Sequence, residues 1–568
     1  MASVRICIVA AALICHLSII GSTVVQALPV VGATEAFQAS NPQPDPVDPV
    51  ALSLRAVFQT GSGKVLRRSL VLTGGEFAAL ISFYEARGWN PVWTKGGLIS
   101  QAGRSVISRL RQSAADGLDP SAYGTPSYQL GRMWPVSARE VARSEILISR
   151  SVIRYARHAS IGRLRPGGVS RRIARAPKAK NPVAVLVDVS SADDPGRSLA
   201  AYNPRHPGFL ALRARLADLR TPMEATFLPR TPIPTGPTME PGQRHPRIAL
   251  LRERLQADPP DTDPEFVEPE ILDPEFFDQD LRAAVIEFQS AMGLETDGLV
   301  GRQTLAALNA DRNDAAPSAS VAGIVANMEM WRWMPEDLGD VHVVVNVPEF
   351  RLRIVNAGKT THTTKVIVGK VRYQTPIFSD EMEHVVVNPY WNVPYSIAKN
   401  EMLSSIRANP MGYLQSRGYE VLYNGRRIHP ASIYWDTETV KRVHIRQRPG
   451  AGNALGRVKF LFPNKHAVYL HDTPSRSLFK KDQRAFSHGC IRVNHPLKFA
   501  DALLTADKTV SGKQIRNLLG KKERWVNLDR HIPVHISYFT TWVDGSGTLR
   551  TARDIYGHEK KVRELLRL

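Results

Sequence analysis

The strongest constraint on the fold of this 568-residue chain is a change in the period of its apolar residues. Between Leu70 and about Arg220 they recur at helical spacing, as in GGEFAALISFYEARGW and VARSEILISRSVIRYARHASI, and RIALLRERL, QDLRAAVIEFQSAMGL and GRQTLAALNA continue the pattern in three amphipathic helices. From Val341 the runs become strand-like: VHVVVNV, FRLRIV, TTKVIVG, HVVVNPYWNVP and AVYLHD. A repeat of three to four residues turns one stripe of a helix toward a core, whereas alternation and β-branched runs build sheets. Kept in separate blocks, the two patterns imply an α+β multidomain protein, and a hydrophobic fraction of 43% is ample for its cores.

The boundaries follow from composition. Residues 1–27 have the form of an export signal: Arg5, an apolar run from Ile6 to Ile20, then small residues and Val25-Gln26-Ala27 as a cleavage site. Uncleaved, the same stretch is long enough to be retained as an inner-membrane anchor, since a bilayer needs about 20 apolar residues. Residues 28–69, rich in Ala, Pro and Ser, are expected to be a linker, and 70–227 a helical domain. The Pro-rich LPRTPIPTGPTMEPGQRHP marks the next boundary, before a small helical unit over 245–312. A β-rich domain is expected over 322–510, with 511–568 as a C-terminal segment packing on the other domains.

The formal net charge of +21 asks for an anionic partner, which for an exported protein means cell wall or lipid. Nothing resembles a zinc finger or a helix-turn-helix, so nucleic acid is not expected as a partner. The basic segment RPGGVSRRIARAPKAK is expected to be a solvated loop or a polyanion contact.

The cysteines carry the chemistry. Cys7 and Cys15 lie inside the signal, so its removal leaves Cys490, in RAFSHGCIRV, as a single thiol in an oxidising compartment, without an intrachain disulfide partner. It is either an inert buried residue or a nucleophile. His471, His488 and His495 are near in sequence, and His471, 19 residues before Cys490, ends a predicted strand, so a returning segment can bring cysteine and histidine together. Gly489 allows a tight backbone approach in which the Gly489 and Cys490 amides face a developing oxyanion. Arg492 lies on the same face of an extended segment as Cys490, where it either holds a substrate carboxylate or forms an internal salt bridge. The spacing of His488, Cys490 and His495 fits no zinc site, and no cofactor or metal is expected.

Two stretches resemble known families. VIEFQSAMGLETDGLVGRQTLAALN, with Phe288-Gln289, Gly293-Leu294, Asp297-Gly298, Gly301 and Thr304-Leu305, is similar to the three-helix peptidoglycan-binding domain, although the acidic ADPPDTDPEFVEPEILDPEFF interrupts it between helices one and two. YLHDTPSRSLF together with RAFSHGCIRV resembles the signature of the YkuD-type L,D-transpeptidase catalytic domain. QRPGAGNALGRVKFLFPN and IPVHISYFTTWVDGSGTLRTARDIYG are similar to its large YcbB-like branch, which also carries a helical scaffold domain and a peptidoglycan-binding module.

The resemblance implies that Cys490 is the acylated nucleophile and His471 its general base, with Asp472 orienting the ring through its backbone carbonyl. It makes Ser487, His488 and Gly489 shaping residues, gives Arg492 the motif's basic position, and sets Tyr469 near the acyl group, although a core tyrosine is an equal reading. It also makes 388–446 a substrate-capping insertion with Trp391 at its start, where the residue-level alternatives are a lid or a structural subdomain.

The implied function is peptidoglycan L,D-transpeptidation, forming 3→3 cross-links between peptide stems through a cysteine thioester in the periplasm, with carbapenems as expected inhibitors. An L,D-carboxypeptidase, or an enzyme attaching an outer-membrane protein to peptidoglycan, would use the same residues; a wall-binding protein with a dead site would not need them.

Overall fold

The computed structural model describes residues 48–59, 72–126, 137–220, 232–255, 273–292, 294–309, 321–506, 509–520 and 522–568. The expected signal with Cys7 and Cys15, Gly293 of the binding-domain pattern and most of the acidic interruption lie outside them. The architecture is α+β, with helices before residue 332 and the main sheet after residue 340.

The N-terminal helices Gly74–Ala86, Gln101–Arg111, Ala138–Ile161 and Pro182–Ser191 share one core containing Leu80, Phe83, Trp93, Val106, Ile146 and Leu186. Ser137 and Glu140 form a reciprocal cap that starts the 24-residue helix Ala138–Ile161. The expected linker does not run unbroken to residue 69, because Pro49–Gln59 is a helix whose Val50, Ala51, Leu54 and Phe58 enter this core. Four apolar positions are too few for an independent fold, but they suffice for a helix that docks on an existing surface.

A second core is built by Pro246–Leu255, Gln279–Ala291 and Arg302–Asn309 around Ile248, Leu281, Val285 and Leu305. The Pro-rich boundary contributes Ile233 and Met239 to it. Gln289, 1% exposed, donates to Asp297 Oδ1, Leu299 O and Thr304 Oγ1 and accepts from the Gly298 amide at 2.9 Å, so the signature residues of this module tie its two last helices together.

The main sheet has nine strands: β1 (Val341–Asn346), β2 (Arg351–Asn356), β3 (Lys359–Gly369), β4 (Ser379–Val387), β5 (Val458–Leu461), β6 (Leu470–His471), β7 (Ala485–Ser487), β8 (Ile491–Val493) and β9 (Arg524–Ser537). Their order is β7-β3-β8-β6-β5-β4-β9-β1-β2, and β2 pairs back onto β3, which closes the sheet and removes its open edges. Val343, Leu352, Val366, Val385, Phe460 and Leu470 fill its core. β9, the longest strand, lies between β1 and β4, so the sheet takes a central member from beyond residue 510.

Residues between β4 and β5 form a subdomain with a four-stranded sheet and its own core of Ile406, Leu414, Val421, Trp435 and Ile445. Trp435 is buried there, whereas Tyr434 is 83% exposed, so the aromatics of this insertion divide between core and surface.

Two buried arginines join the helical region to the sheet. Arg332 donates to Ala159 O, Asp116 O and Asn203 Oδ1. Arg175 belongs to the basic segment read as solvated loop or polyanion contact, yet it donates to Ser379 Oγ at 2.7 Å and to the carbonyls of Phe378 and Ile536. Beside it, Ile173 forms a parallel bridge with Ile377, which makes this stretch a clasp on the sheet.

Candidate active site

β6 and β8 run parallel, with Leu470 opposite Ile491 and His471 opposite Arg492. Leu470 and Ile491 are fully buried in the sheet's core. Because side chains alternate along a strand, Tyr469, His471, Cys490 and Arg492 share the other face. β5 adds Lys459 to that face, directly opposite His471 in an antiparallel pairing. Lys459, His471 and Arg492 therefore stand in a row across three adjacent strands.

His471, 4% exposed, directs Nδ1 at the Asp472 carbonyl oxygen at 2.5 Å. A carbonyl only accepts, so Nδ1 carries the proton and Nε2 keeps its lone pair. Burial, with Arg492 and Lys459 adding to it, lowers the His471 pKa to about 3, while the Asp472 carbonyl acts in the opposite direction. The imidazole is neutral at ordinary pH. The Asp472 carboxylate points elsewhere: it accepts from the amides of Thr473 and Arg457 and pairs with Arg476. Gly456 makes room for it. A Cβ there would lie 2.3 Å from Asp472 Cγ, and the Gly456 φ of 62° is itself unfavourable for a side chain.

Cys490 is half-buried, and its thiol lies 3.7 Å from Ala467 O. Burial pushes the thiol pKa up; the backbone and hydroxyl of Tyr469, then Lys459 and Arg492, pull it back. Among the described residues no hydrogen bond joins Cys490 to His471. They occupy diagonal positions on neighbouring strands, ~7–8 Å apart along the backbone, within reach after a side-chain rotation.

The preceding turn is held by Ser487, whose hydroxyl donates to Cys490 O at 2.5 Å and accepts from the Gly489 amide at 3.1 Å. The Gly489 amide, expected to face an oxyanion, is thus engaged within the turn, because the buried Ser487 oxygen is its nearest acceptor. The Cys490 amide has no hydrogen-bond partner among the described residues. Gly489 has φ 116°, a conformation L side chains rarely adopt, and Thr375 Oγ1 fixes its carbonyl at 2.8 Å.

Arg492 has no ion-pair partner among the described residues, and its buried Nε is without a hydrogen bond, so the internal salt bridge considered from sequence is absent there. Lys459 was not singled out from sequence. Its Nζ lies 4.1 Å from the centroid of the Tyr469 ring, whose edge faces His471 at 5.6 Å between centroids. Tyr469 is therefore part of this face; its phenol pKa is pushed up by burial and by Cys490.

His488 turns away from the thiol. Its Nε2 meets Glu401 Oε1 of the inserted subdomain at 2.5 Å, and its ring lies 4.6 Å from that of Tyr373. Trp391 lies in the subdomain's own sheet, paired with Gln447 and packed toward Tyr419, and no described contact joins it to Cys490.

The family models divide the chain along the same lines. Residues 340–511 match the "L,D-transpeptidase catalytic domain" (YkuD), 245–308 the "Putative peptidoglycan binding domain", and 78–216 the "Scaffold domain". A "Putative L,D-transpeptidase" of Haemophilus influenzae is 31% identical over 249 residues, covering 43% of this chain; the chain spans half (50%) of that relative's length. An L,D-transpeptidase structure from Xylanimonas cellulosilytica is 16% identical with a TM-score of 0.17, covering 53% of this chain and 98% of that one. A second, from Stackebrandtia nassauensis, is 15% identical with a TM-score of 0.19, covering 52% and 94%. The sequence signature around Cys490 and the family-model matches agree: this chain carries a YkuD-type L,D-transpeptidase catalytic domain, together with a peptidoglycan-binding domain.

Proposed function

We propose that the protein is a cell-wall cross-linking L,D-transpeptidase that works through a thioester on Cys490. The observation that carries this reading is the pairing of a half-buried thiol with a neutral histidine on one face of β6 and β8, the histidine's Nδ1–H fixed by the Asp472 carbonyl. Such a base accepts a proton at Nε2 without first losing one.

Nε2 takes the Cys490 proton as sulfur bonds to the carbonyl carbon of the third residue of a donor tetrapeptide stem. The free Cys490 amide faces the resulting oxyanion, and Lys459 and Arg492 supply positive charge beside it. The bond to the terminal D-Ala breaks, and that amine leaves with the proton from His471. In the second half, the side-chain amine of diaminopimelate on a neighbouring stem attacks the thioester. His471 accepts the amine proton and returns it to sulfur, leaving a 3→3 cross-link. A carbapenem carbonyl would enter the same thiol chemistry.

The binding module and the positive charge suit a polyanionic wall outside the inner membrane, where a second attachment raises local concentration. No helix among the described residues is long and apolar enough to cross a membrane.

The test is to incubate the protein and its Cys490→Ala variant with disaccharide tetrapeptides and to identify products by mass spectrometry. A Cys490-dependent dimer lacking one D-Ala supports the proposal. Cys490-dependent tripeptide without dimer would make the activity a carboxypeptidase, and no product from either protein would leave wall attachment of a protein, or binding alone, as the function.

A further inference from the structure

The catalytic face continues past its reacting groups into a strongly basic groove of about 680 Å³. Its lining includes Lys365, Arg457, Arg476, Lys480 and Lys498, and none of its described lining residues is acidic. Arg457 and Arg476 share the buried Asp472 carboxylate, whereas Lys365, Lys480 and Lys498 have no ion-pair partner among the described residues. Five cations against one carboxylate leave an excess of positive charge in a concave site, where a low-dielectric wall focuses its field.

The strand registers fix where this groove lies. Along β8 and its continuation, Cys490, Arg492 and Asn494 share a face, and Asn494 lines the groove. The Asn494 amide bonds to Lys365 O at 3.0 Å, which aligns Lys365 of β3 with that end of the row. On β5, Arg457 precedes Lys459 by two residues and shares its face. The groove therefore begins about 7 Å along the strands from the Lys459–His471–Arg492 row, at two residues of extended chain. It lies on the side where β6 ends in His471, whereas the His488–Glu401 contact with the inserted subdomain lies beside the turn that precedes Cys490.

The helix Pro496–Leu503 adds to this polarity. It begins in the groove, with no side-chain cap, and its first backbone hydrogen bond comes from Phe499, so the amides of Leu497 and Lys498 remain available to an anion.

We infer that this groove is the acceptor subsite, holding the free carboxylates of the incoming peptide stem while its amine reaches the thioester beside His471. The inference rests on the transpeptidase reading above. The acceptor chemistry fits it: a stem peptide presents several carboxylates and one reacting amine, and the base that must deprotonate that amine stands at the groove's near end.

The test uses the full chain with saturating tetrapeptide donor and varied tripeptide stem as acceptor, comparing the wild type with Lys365→Gln/Lys480→Gln/Lys498→Gln and the corresponding triple Arg variant. The expected result is an acceptor KM raised tenfold or more in the Gln variant and restored in the Arg variant. An unchanged KM, or an equal rise in both variants, overturns the inference. If the wild type forms no cross-link, the transpeptidase reading fails. The groove is then decided by binding of fluorescent tripeptide stem to Cys490→Ala, with and without the three Gln substitutions: tenfold weaker binding on substitution supports it, and equal binding overturns it. Equally tight binding of an unrelated oligoanion of the same charge would make the groove a general polyanion patch and also overturn the assignment.

Discussion

His471 combines a fixed tautomer with burial, and the two together decide how Cys490 is activated. With its pKa lowered to about 3, the ring does not form a standing ion pair with a thiolate near neutral pH; burial meanwhile holds the thiol itself above its ordinary range. The resting pair is neutral, and the proton moves during attack. Alkylation of Cys490 by iodoacetamide, followed from pH 5 to 10, should therefore climb into the alkaline range without a plateau between pH 5 and 8. A plateau there would reveal a preformed thiolate. Asp472→Asn should keep at least a tenth of the wild-type kcat/KM, since the carbonyl rather than the carboxylate holds the ring, whereas Gly489→Ala should lose most of it because an L side chain disfavours φ 116°. Steady-state kinetics on the two variants checks this difference. Cys490 and His471 were legible because the strand end at His471 and the turn at Gly489 are local signals. Lys459 was not, because its position opposite His471 depends on the register between β5 and β6, which no local pattern specifies.

At the scale of elements, the clasp around Arg175 links helices to sheet. Its guanidinium, with a pKa lowered to about 9 by burial, has carbonyl and hydroxyl partners and no carboxylate. Arg175→Met should cost about 2 kcal/mol by orphaning those acceptors. Hydrogen exchange should then quicken in β4 and β9, which hold or flank them; unchanged exchange in both strands would contradict the clasp. The segment's charge suggested water or polyanions, since a sequence shows that an arginine is basic but not that a distant sheet will offer it carbonyls. The Pro49–Gln59 helix was missed for a related reason: its four buried positions gain their core only from residues that follow. Glu401 and His488, 87 residues apart, could not be paired from sequence either. In contrast, the binding module was legible because its signature residues are local: Gln289, Gly298 and Thr304 form a clasp within a short span.

For the whole molecule, the buried histidines tie stability to pH. The pKa values of His535 and His558 are lowered to about 4, and those of His158 and His471 to about 3, chiefly by burial. An unfolded histidine takes up a proton below about pH 6.5, so these groups contribute fully above that pH and lose their contribution as pH falls toward the folded values. The raised carboxyls of Glu145, Glu329 and Glu559 act with the opposite sign. The contribution of one histidine is isolated by comparing thermal midpoints at pH 4.5 and 7: His535→Gln should show a smaller difference between the two than the wild type does. The change of apolar period made the α+β plan visible, and the motifs around Cys490 made the catalytic domain visible. The closure of the sheet by β2 and β3, and the central place of β9, depend on long-range pairings that the period alone does not encode.

The central claim, a thioester on Cys490 formed with His471 as base, is tested most directly by intact-protein mass spectrometry. The protein is mixed with tetrapeptide stem and no acceptor, quenched in acid within seconds, and digested to locate the adduct. The account predicts the mass of a tripeptide acyl group on Cys490, labile to hydroxylamine, absent from Cys490→Ala and strongly reduced in His471→Ala. An adduct on another residue, or turnover of the stem with Cys490 unmodified and dispensable, would contradict it.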